Sequence, residues 1–208
     1  MSGCVAYGVA RVSSAASGTS YNSRGRYVPP MDWYVLAPVA ATRDLWVALA
    51  GPTAPKYGVW KTPSGEPVHE ILAAEGPPGV QDVEWYFMPL PGHYGKRLVD
   101  AVWQYGDGLK VYSERMCALL ESCGARLQTW PADVRYRNGS PVEGYLSVLE
   151  EADAPGPVHS MYRGRRTGQV AISGEVRKAL LDAGMTGLEI LEADCAFPGD
   201  NGFYSGSD

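Results

Sequence analysis

Lys110-Val-Tyr-Ser-Glu-Arg-Met-Cys-Ala-Leu-Leu-Glu-Ser-Cys-Gly124 is the stretch on which the fold turns. Its aliphatic start predicts a short buried strand. Ser113 stands where a helix N-cap belongs, Met116, Leu119 and Leu120 recur at the spacing of one helix face, and Gly124 supplies a C-terminal stop. A second stretch, Gln169-Val-Ala-Ile-Ser-Gly-Glu-Val-Arg-Lys-Ala-Leu-Leu-Asp-Ala-Gly184, has the same skeleton. Val111 answers to Ala171, Ser113 to Ser173, Met116 to Val176, Leu120 to Leu180 and Gly124 to Gly184, each 60 residues apart. One unit is therefore used twice. Each glycine is followed by another strand-like run, Arg126-Leu-Gln-Thr-Trp130 and Gly187-Leu-Glu-Ile-Leu191, so the unit reads strand, helix, strand.

Between the copies, Ala132-Asp-Val-Arg-Tyr-Arg137 and Val142-Glu-Gly-Tyr-Leu-Ser-Val-Leu149 flank Asn138-Gly139, a strong turn signal that reads as a hairpin or a slightly longer loop. The apolar positions Val142, Tyr145 and Val148 of the second strand alternate imperfectly, so periodicity does not choose its buried face. Upstream, Met31-Asp-Trp-Tyr-Val-Leu-Ala37, Leu45-Trp-Val-Ala-Leu49, Tyr57-Gly-Val-Trp60 and Val83-Glu-Trp-Tyr-Phe-Met88 read as short strands cut by Pro and Gly. Residues 67–75 have room for two helical turns before Gly76-Pro-Pro-Gly79 stops them. A further amphipathic piece, Lys96-Arg-Leu-Val-Asp-Ala-Val-Trp103, follows a Pro- and Gly-rich loop at 89–95.

The expected architecture is α+β: one domain over residues 31–195, with the two strand-helix-strand units and a hairpin packed on a mixed sheet. Residues 1–30, where Ser, Gly, Ala, Asn, Arg and Pro offer almost nothing to bury from Ser13 onward, are expected to be a flexible extension. Residues 196–208 are expected to be a flexible tail. A chain of 208 residues with 45% hydrophobic and 20% charged residues suits one sizeable core, in the ordinary range for soluble globular proteins. No run approaches a membrane span, and Arg11 interrupts the only apolar stretch near the start, so a cytoplasmic protein is expected.

The net charge of −5 is unevenly spread. Residues 1–30 carry Arg11, Arg24 and Arg26 and no acid, leaving 15 basic against 23 acidic side chains in the remainder. A field of that sign repels nucleic acid and attracts a basic protein. The cysteines at 4, 117, 123 and 195 form no C-x-x-C pair and have no histidine spaced to complete a zinc site. Cys117 and Cys123 fall on different faces of one helix, so free thiols are expected, with no metal and no other cofactor.

At these residues the sequence resembles the myxobacterial-type immunity domain, the eleventh immunity-protein family of bacterial polymorphic toxin systems. The resemblance rests on the aliphatic strand with Ser113-Glu114, Leu119-Leu120 and Gly124, on the hairpin with Tyr145-Leu-Ser-Val-Leu149, on Ile172-Ser173 through Gly187-Leu-Glu-Ile190, and on the opening Met31-Asp-Trp-Tyr-Val-Leu36. It spans about residues 105–192 together with the strand at 31 and leaves 40–95 unplaced. Gly174 departs from the pattern, since the family more often carries an acid there, which weakens the second helix start. The resemblance implies a non-catalytic protein that neutralises a cognate toxin by occluding it, and it transfers no catalytic residue.

Ser113 and Ser173 lie outside any Gly-x-Ser-x-Gly nucleophile turn, and capping accounts for both. The rival class is a small hydrolase or transferase built on His69, His93 or His159, each solitary in sequence and needing a carboxylate or serine from elsewhere. Gly76-Pro-Pro-Gly79 and Tyr105-Gly-Asp-Gly108 lack the Gly-Lys-Ser/Thr ending of a phosphate loop and read as turns. Arg163-Gly-Arg-Arg166 reads as a solvated hairpin loop. The candidate partner-binding residues are the acids Glu150, Glu151, Asp153, Glu189 and Glu192, with Asp194 beside them, and the aromatics Trp85, Tyr86 and Tyr162, with Trp130 as a further anchor.

Overall fold

The computed structural model describes residues 20–21, 27–28, 33–39, 41–55, 59–104, 109–150, 156–162 and 165–192. The chain divides into two compact units, Met1–Met31 and Asp32–Asp208. In the first, β1 (Ser20–Tyr21) pairs antiparallel with β2 (Tyr27–Val28). Apart from those four residues, the expected flexible extension lies outside the described residues, as does the tail at 196–208.

The second unit runs β3 (Trp33–Pro38), β4 (Trp46–Ala50), α1 (Val68–Glu75), β5 (Tyr86–Pro89), β6 (Ala101–Gln104), β7 (Lys110–Ser113), α2 (Glu114–Ser122) and β8 (Leu127–Pro131). It continues with β9 (Val134–Arg135), β10 (Pro141–Val142), β11 (Tyr145–Glu150), β12 (Val158–Tyr162), β13 (Arg165–Ser173), α3 (Gly174–Asp182) and β14 (Leu188–Glu192). The class is α+β. Its strands form a mixed eight-stranded sheet in the order β10-β9-β5-β4-β6-β7-β11-β8 and an antiparallel four-stranded sheet in the order β12-β13-β3-β14.

The repeat is realised residue for residue. The hydroxyl of Ser113 accepts from the Met116 amide at 3.1 Å and that of Ser173 from the Val176 amide at 3.4 Å, so the second cap forms despite Gly174. Both helices are followed by a glycine at positive φ, Gly124 at 87° and Gly184 at 61°, a conformation that costs glycine nothing. β7 and β8 each pair antiparallel with β11, which runs between them, while β13 and β14 flank β3 in the same way. Each copy is thus a split β-α-β unit whose two parallel strands admit an antiparallel third. The inserted strand comes from downstream in the first copy and from upstream in the second. The first copy lies in the mixed sheet and the second in the four-stranded one.

Two expectations need correction. The hairpin around Asn138-Gly139 closes between Val134–Arg135 and Pro141–Val142 only. Gly144, at φ 82°, turns the chain so that Tyr145–Glu150 leaves it for the slot between β7 and β8. Val59 and Trp60 belong to no strand. The neighbouring Lys61 makes a single bridge to Pro67, and Trp60 packs against the core from a loop.

The hydrophobic residues form two clusters that share the middle of the mixed sheet. Val102, Val111, Tyr145 and Leu149 join Leu45, Val47, Phe87 and the α1 residues Val68 and Leu72. Ala101, Tyr112 and Val148 join Leu36, Ile172 and the helix residues Met116, Leu120, Val176 and Leu180. Because neighbours in a strand point to opposite faces, β6, β7 and β11 are covered on both sides. That is why Tyr145 and Val148, which face different cores, do not alternate cleanly, while Gly144 separates Val142 from both. Among the described residues, no helix is long and apolar enough to cross a membrane.

Candidate functional site

The carboxylate that joins the two repeats sits immediately before β6. Asp100 accepts from Ser113 Oγ at 2.8 Å, from Arg115 at 2.8 and 3.1 Å, and from both the amide and the hydroxyl of Thr186 at 2.9 Å. Burial by itself raises this carboxyl, but the bonds from Arg115, Ser113 and Thr186 outweigh it and bring Asp100 down to about 2. Ser113 Oγ is thereby engaged twice, donating to Asp100 and accepting at the helix start. It is a cap and a tie. Cys117 is buried in the same core, and burial together with Glu121 pushes its thiol up to about 12, opposite to a reactive thiolate.

The two described histidine side chains have different neighbours. His69 lies on α1 beside Glu70 at 3.9 Å, with its side chain about half exposed. The His93 ring stacks on Trp46 with centroids 5.2 Å apart. His159 is placed on β12, opposite Ala171, and its side chain is outside the described ones.

The predicted partner-binding residues separate into distinct environments. Glu150 is the clear correction. It is 1% exposed and pairs with Lys110 at 3.2 Å across β11 and β7, so it belongs to the interior and not to a surface patch. Buried charge is tolerated only when paired, and here the next residue pair in the register, Val148 with Lys110, brings the ammonium alongside. Glu151 and Asp153 lie outside the described residues, as does Asp194. Glu189 and Glu192 are exposed on β14, which pairs with β3 on one side and with no strand on the other among the described residues. Three residues apart, they point to opposite faces of that edge strand.

Trp85 packs against the α1-side core and meets Phe87 edge-on at 5.7 Å. The Tyr86 ring is covered by Arg135, whose guanidinium lies 3.9 Å from its centroid. Trp130 also faces that core and lies over Gly76, where a Cβ would come within 2.4 Å of the indole. Tyr162 is on β12, with its side chain outside the described ones.

Sequence reasoning passed over one feature. A cleft of about 700 Å³ opens between the loop after β5 and the β9–β10 turn, lined by Pro89, Tyr94, Gly95, Lys96, Tyr136, Arg137 and Asn138. The loop is fixed along residues 43–46. The amides of Lys96 and Arg97 donate to the Arg43 carbonyl, that of Leu90 donates to the Trp46 carbonyl, and Arg97 pairs with the buried Asp44. Gly95 passes so close that a Cβ would fall 2.0 Å from the Asp44 carbonyl oxygen. From the other wall, Arg137 donates to the His93 and Leu90 carbonyls and lies over the Tyr94 ring, 4.5 Å from its centroid. The only sequence signal was composition: a Pro-Gly loop carrying an aromatic next to a basic pair, which by itself reads as a turn.

No family model matches this chain, and no curated protein matches it.

Proposed function

We propose that the protein is a cytoplasmic immunity protein that binds a basic toxin and occludes it without a reaction of its own, as the resemblance to the myxobacterial-type immunity domain implies. The observation that carries this reading is the outer edge of β14, an unpaired backbone among the described residues with Glu189 and Glu192 exposed on its two faces. A basic segment laid along such an edge gains main-chain hydrogen bonds, and the carboxylates on either side steer it into place. The whole chain's charge of −5 has the same sign. Support also comes from the way the stretches carrying the resemblance sit together: the opening strand β3 lies between the two strands of the second unit, so pieces far apart in sequence make one sheet. The Ser113 and Ser173 hydroxyls are occupied as caps and the described histidines stand in separate environments, which favours binding over the hydrolase or transferase alternative.

The test pairs the full chain with the product of the gene beside its own and measures association by surface plasmon resonance at several salt concentrations. With Glu189→Lys and Glu192→Lys together, the association rate at low salt is expected to fall roughly tenfold and its salt dependence to flatten. A complex whose rate ignores both reversals removes β14 from the interface, and the lack of any complex removes the immunity reading itself.

A further inference from the structure

The cleft between the β5 loop and the β9–β10 turn has a chemistry opposite to that of the protein around it. In a chain of net charge −5, its described lining contains two cations, Lys96 and Arg137, and no carboxylate. Among the described residues the Lys96 side chain has no carboxylate partner. Arg97 next to it is neutralised by Asp44, so the cleft's charge comes from Lys96 and Arg137. Arg137 is held in place before any ligand arrives, with Nη2 on two backbone carbonyls and the guanidinium face on Tyr94. Asn138 uses its carbonyl oxygen twice within the turn, accepting from the Ser140 amide at 3.1 Å and the Ser140 hydroxyl at 2.7 Å. Its amide hydrogens are what it has left to offer. Tyr94, 76% exposed, and the half-buried Tyr136 add ring surface.

The Lys96 ammonium, the remaining Arg137 hydrogens and the Asn138 amide together favour an anion, and aromatic walls favour a flat group attached to it. A lysine and an arginine that keeps its Nε and Nη1 hydrogens after Nη2 is given to two carbonyls, carried on two separate loops, place two positive charges where a phosphate can sit. The volume is within the roughly 300–1,000 Å³ usual for small-ligand sites, whereas a long polyanion would meet the repulsion of the acidic body. We propose that this cleft binds a small, ring-bearing phosphate ester of the nucleoside monophosphate class, with the phosphate between Lys96 and Arg137 and the ring against Tyr94 and Tyr136. This site is independent of the β14 edge and of the toxin reading.

Calorimetric titration of the full chain with AMP, with adenosine and with inorganic phosphate tests it. AMP is expected to bind with a Kd of about 1 mM or tighter, and adenosine and phosphate at least roughly tenfold more weakly than AMP, since each retains half of the contacts. Lys96→Gln and Arg137→Gln are each expected to weaken AMP by roughly tenfold, the loss of one charge-assisted bond. Tyr94→Ala is expected to weaken AMP more than it weakens phosphate, since the ring supports Arg137 as well as the ligand's ring. Because Arg137 also ties the two loops, Lys96→Gln, at an exposed position, keeps the test decisive if the arginine variant misfolds. Absence of saturable AMP binding, equal affinity for AMP and phosphate, or AMP binding that Lys96→Gln leaves unaltered overturns the proposal.

Discussion

Five hydrogen bonds meet on the Asp100 carboxylate, and they come from both copies of the repeat: Ser113 and Arg115 from the first, Thr186 from the second. The bonds favour the ionised form, so the folded-state pKa of about 2 lies below the ordinary 3.8. The unfolded chain therefore binds this proton more readily than the folded one. The stability it contributes is complete above about pH 5 and is lost as pH falls through 3.8 toward 2. A shift of that size corresponds to about 2.5 kcal/mol at most, and solvent screening at the half-exposed Arg115 reduces it to about 1–2 kcal/mol. Urea midpoints measured across that acid range should fall for the native chain and fall less for Asp100→Asn; parallel curves would show that the charge is not what holds Thr186. Beside this node, Gly187 has φ 81° and passes so close to β6 that a Cβ would come within 2.6 Å of the Ala101 carbonyl oxygen, whereas Gly184 has φ 61° with open space around it. Both Gly→Ala substitutions carry the left-handed penalty of about 1–2 kcal/mol, but only Gly187→Ala adds a clash, for a total of about 3–4 kcal/mol. Denaturant unfolding of the two variants separates conformation from contact.

The caps separate the two helices by the same logic. Removing the Ser173 hydroxyl costs α3 one N-cap bond of 3.4 Å, whereas removing that of Ser113 costs α2 its cap at 3.1 Å and Asp100 a donor at 2.8 Å. Ser173→Ala should cost about 0.5–1 kcal/mol and Ser113→Ala about 2 kcal/mol or more. Equal losses in guanidinium melts would mean that Ser113 is a cap and nothing else. The caps, the glycine stops and the repeat were legible in the sequence because each is a local signal: a side chain satisfying an amide three residues on, or a backbone angle that one residue type adopts freely. The partner of each strand was not legible. β11 joins β7 and β8 because Gly144 breaks the hairpin and both faces of the slot are apolar. β3 joins β13 because of contacts across most of the chain, and neither leaves a mark at short range. The burial of Glu150 was hidden for the same reason, since its partner Lys110 lies forty residues upstream and only the β7–β11 register brings them together. Nor was the cleft at Tyr94 and Arg137 visible, for it exists only where two distant turns meet.

The shared strands decide how the Asp32–Asp208 unit unfolds. Val102 and Ala101, Val111 and Tyr112, and Leu149 and Val148 are neighbours in β6, β7 and β11 that send one side chain to each core. Neither core survives if those strands separate, so the two should melt together even though they contain different helices and lie on opposite faces of the sheet. The chain carries its own reporters for this. Three of its six tryptophans, Trp60, Trp85 and Trp130, pack against the α1-side core, whereas α2 and α3 bury their apolar faces in the other. Leu120 on α2 is fully buried and belongs to the second core. Leu120→Ala, in a chain whose Trp33, Trp46 and Trp103 are replaced by Phe, should therefore cost about 2–5 kcal/mol and lower the midpoint seen by the fluorescence of the three remaining tryptophans as much as the midpoint seen by far-ultraviolet circular dichroism. Two cores that merely adjoin would give a different result, with the helical signal moving down while the indole signal stays. Coincidence of the two transitions is the expected outcome, because the residues that separate the cores are the same residues that build them.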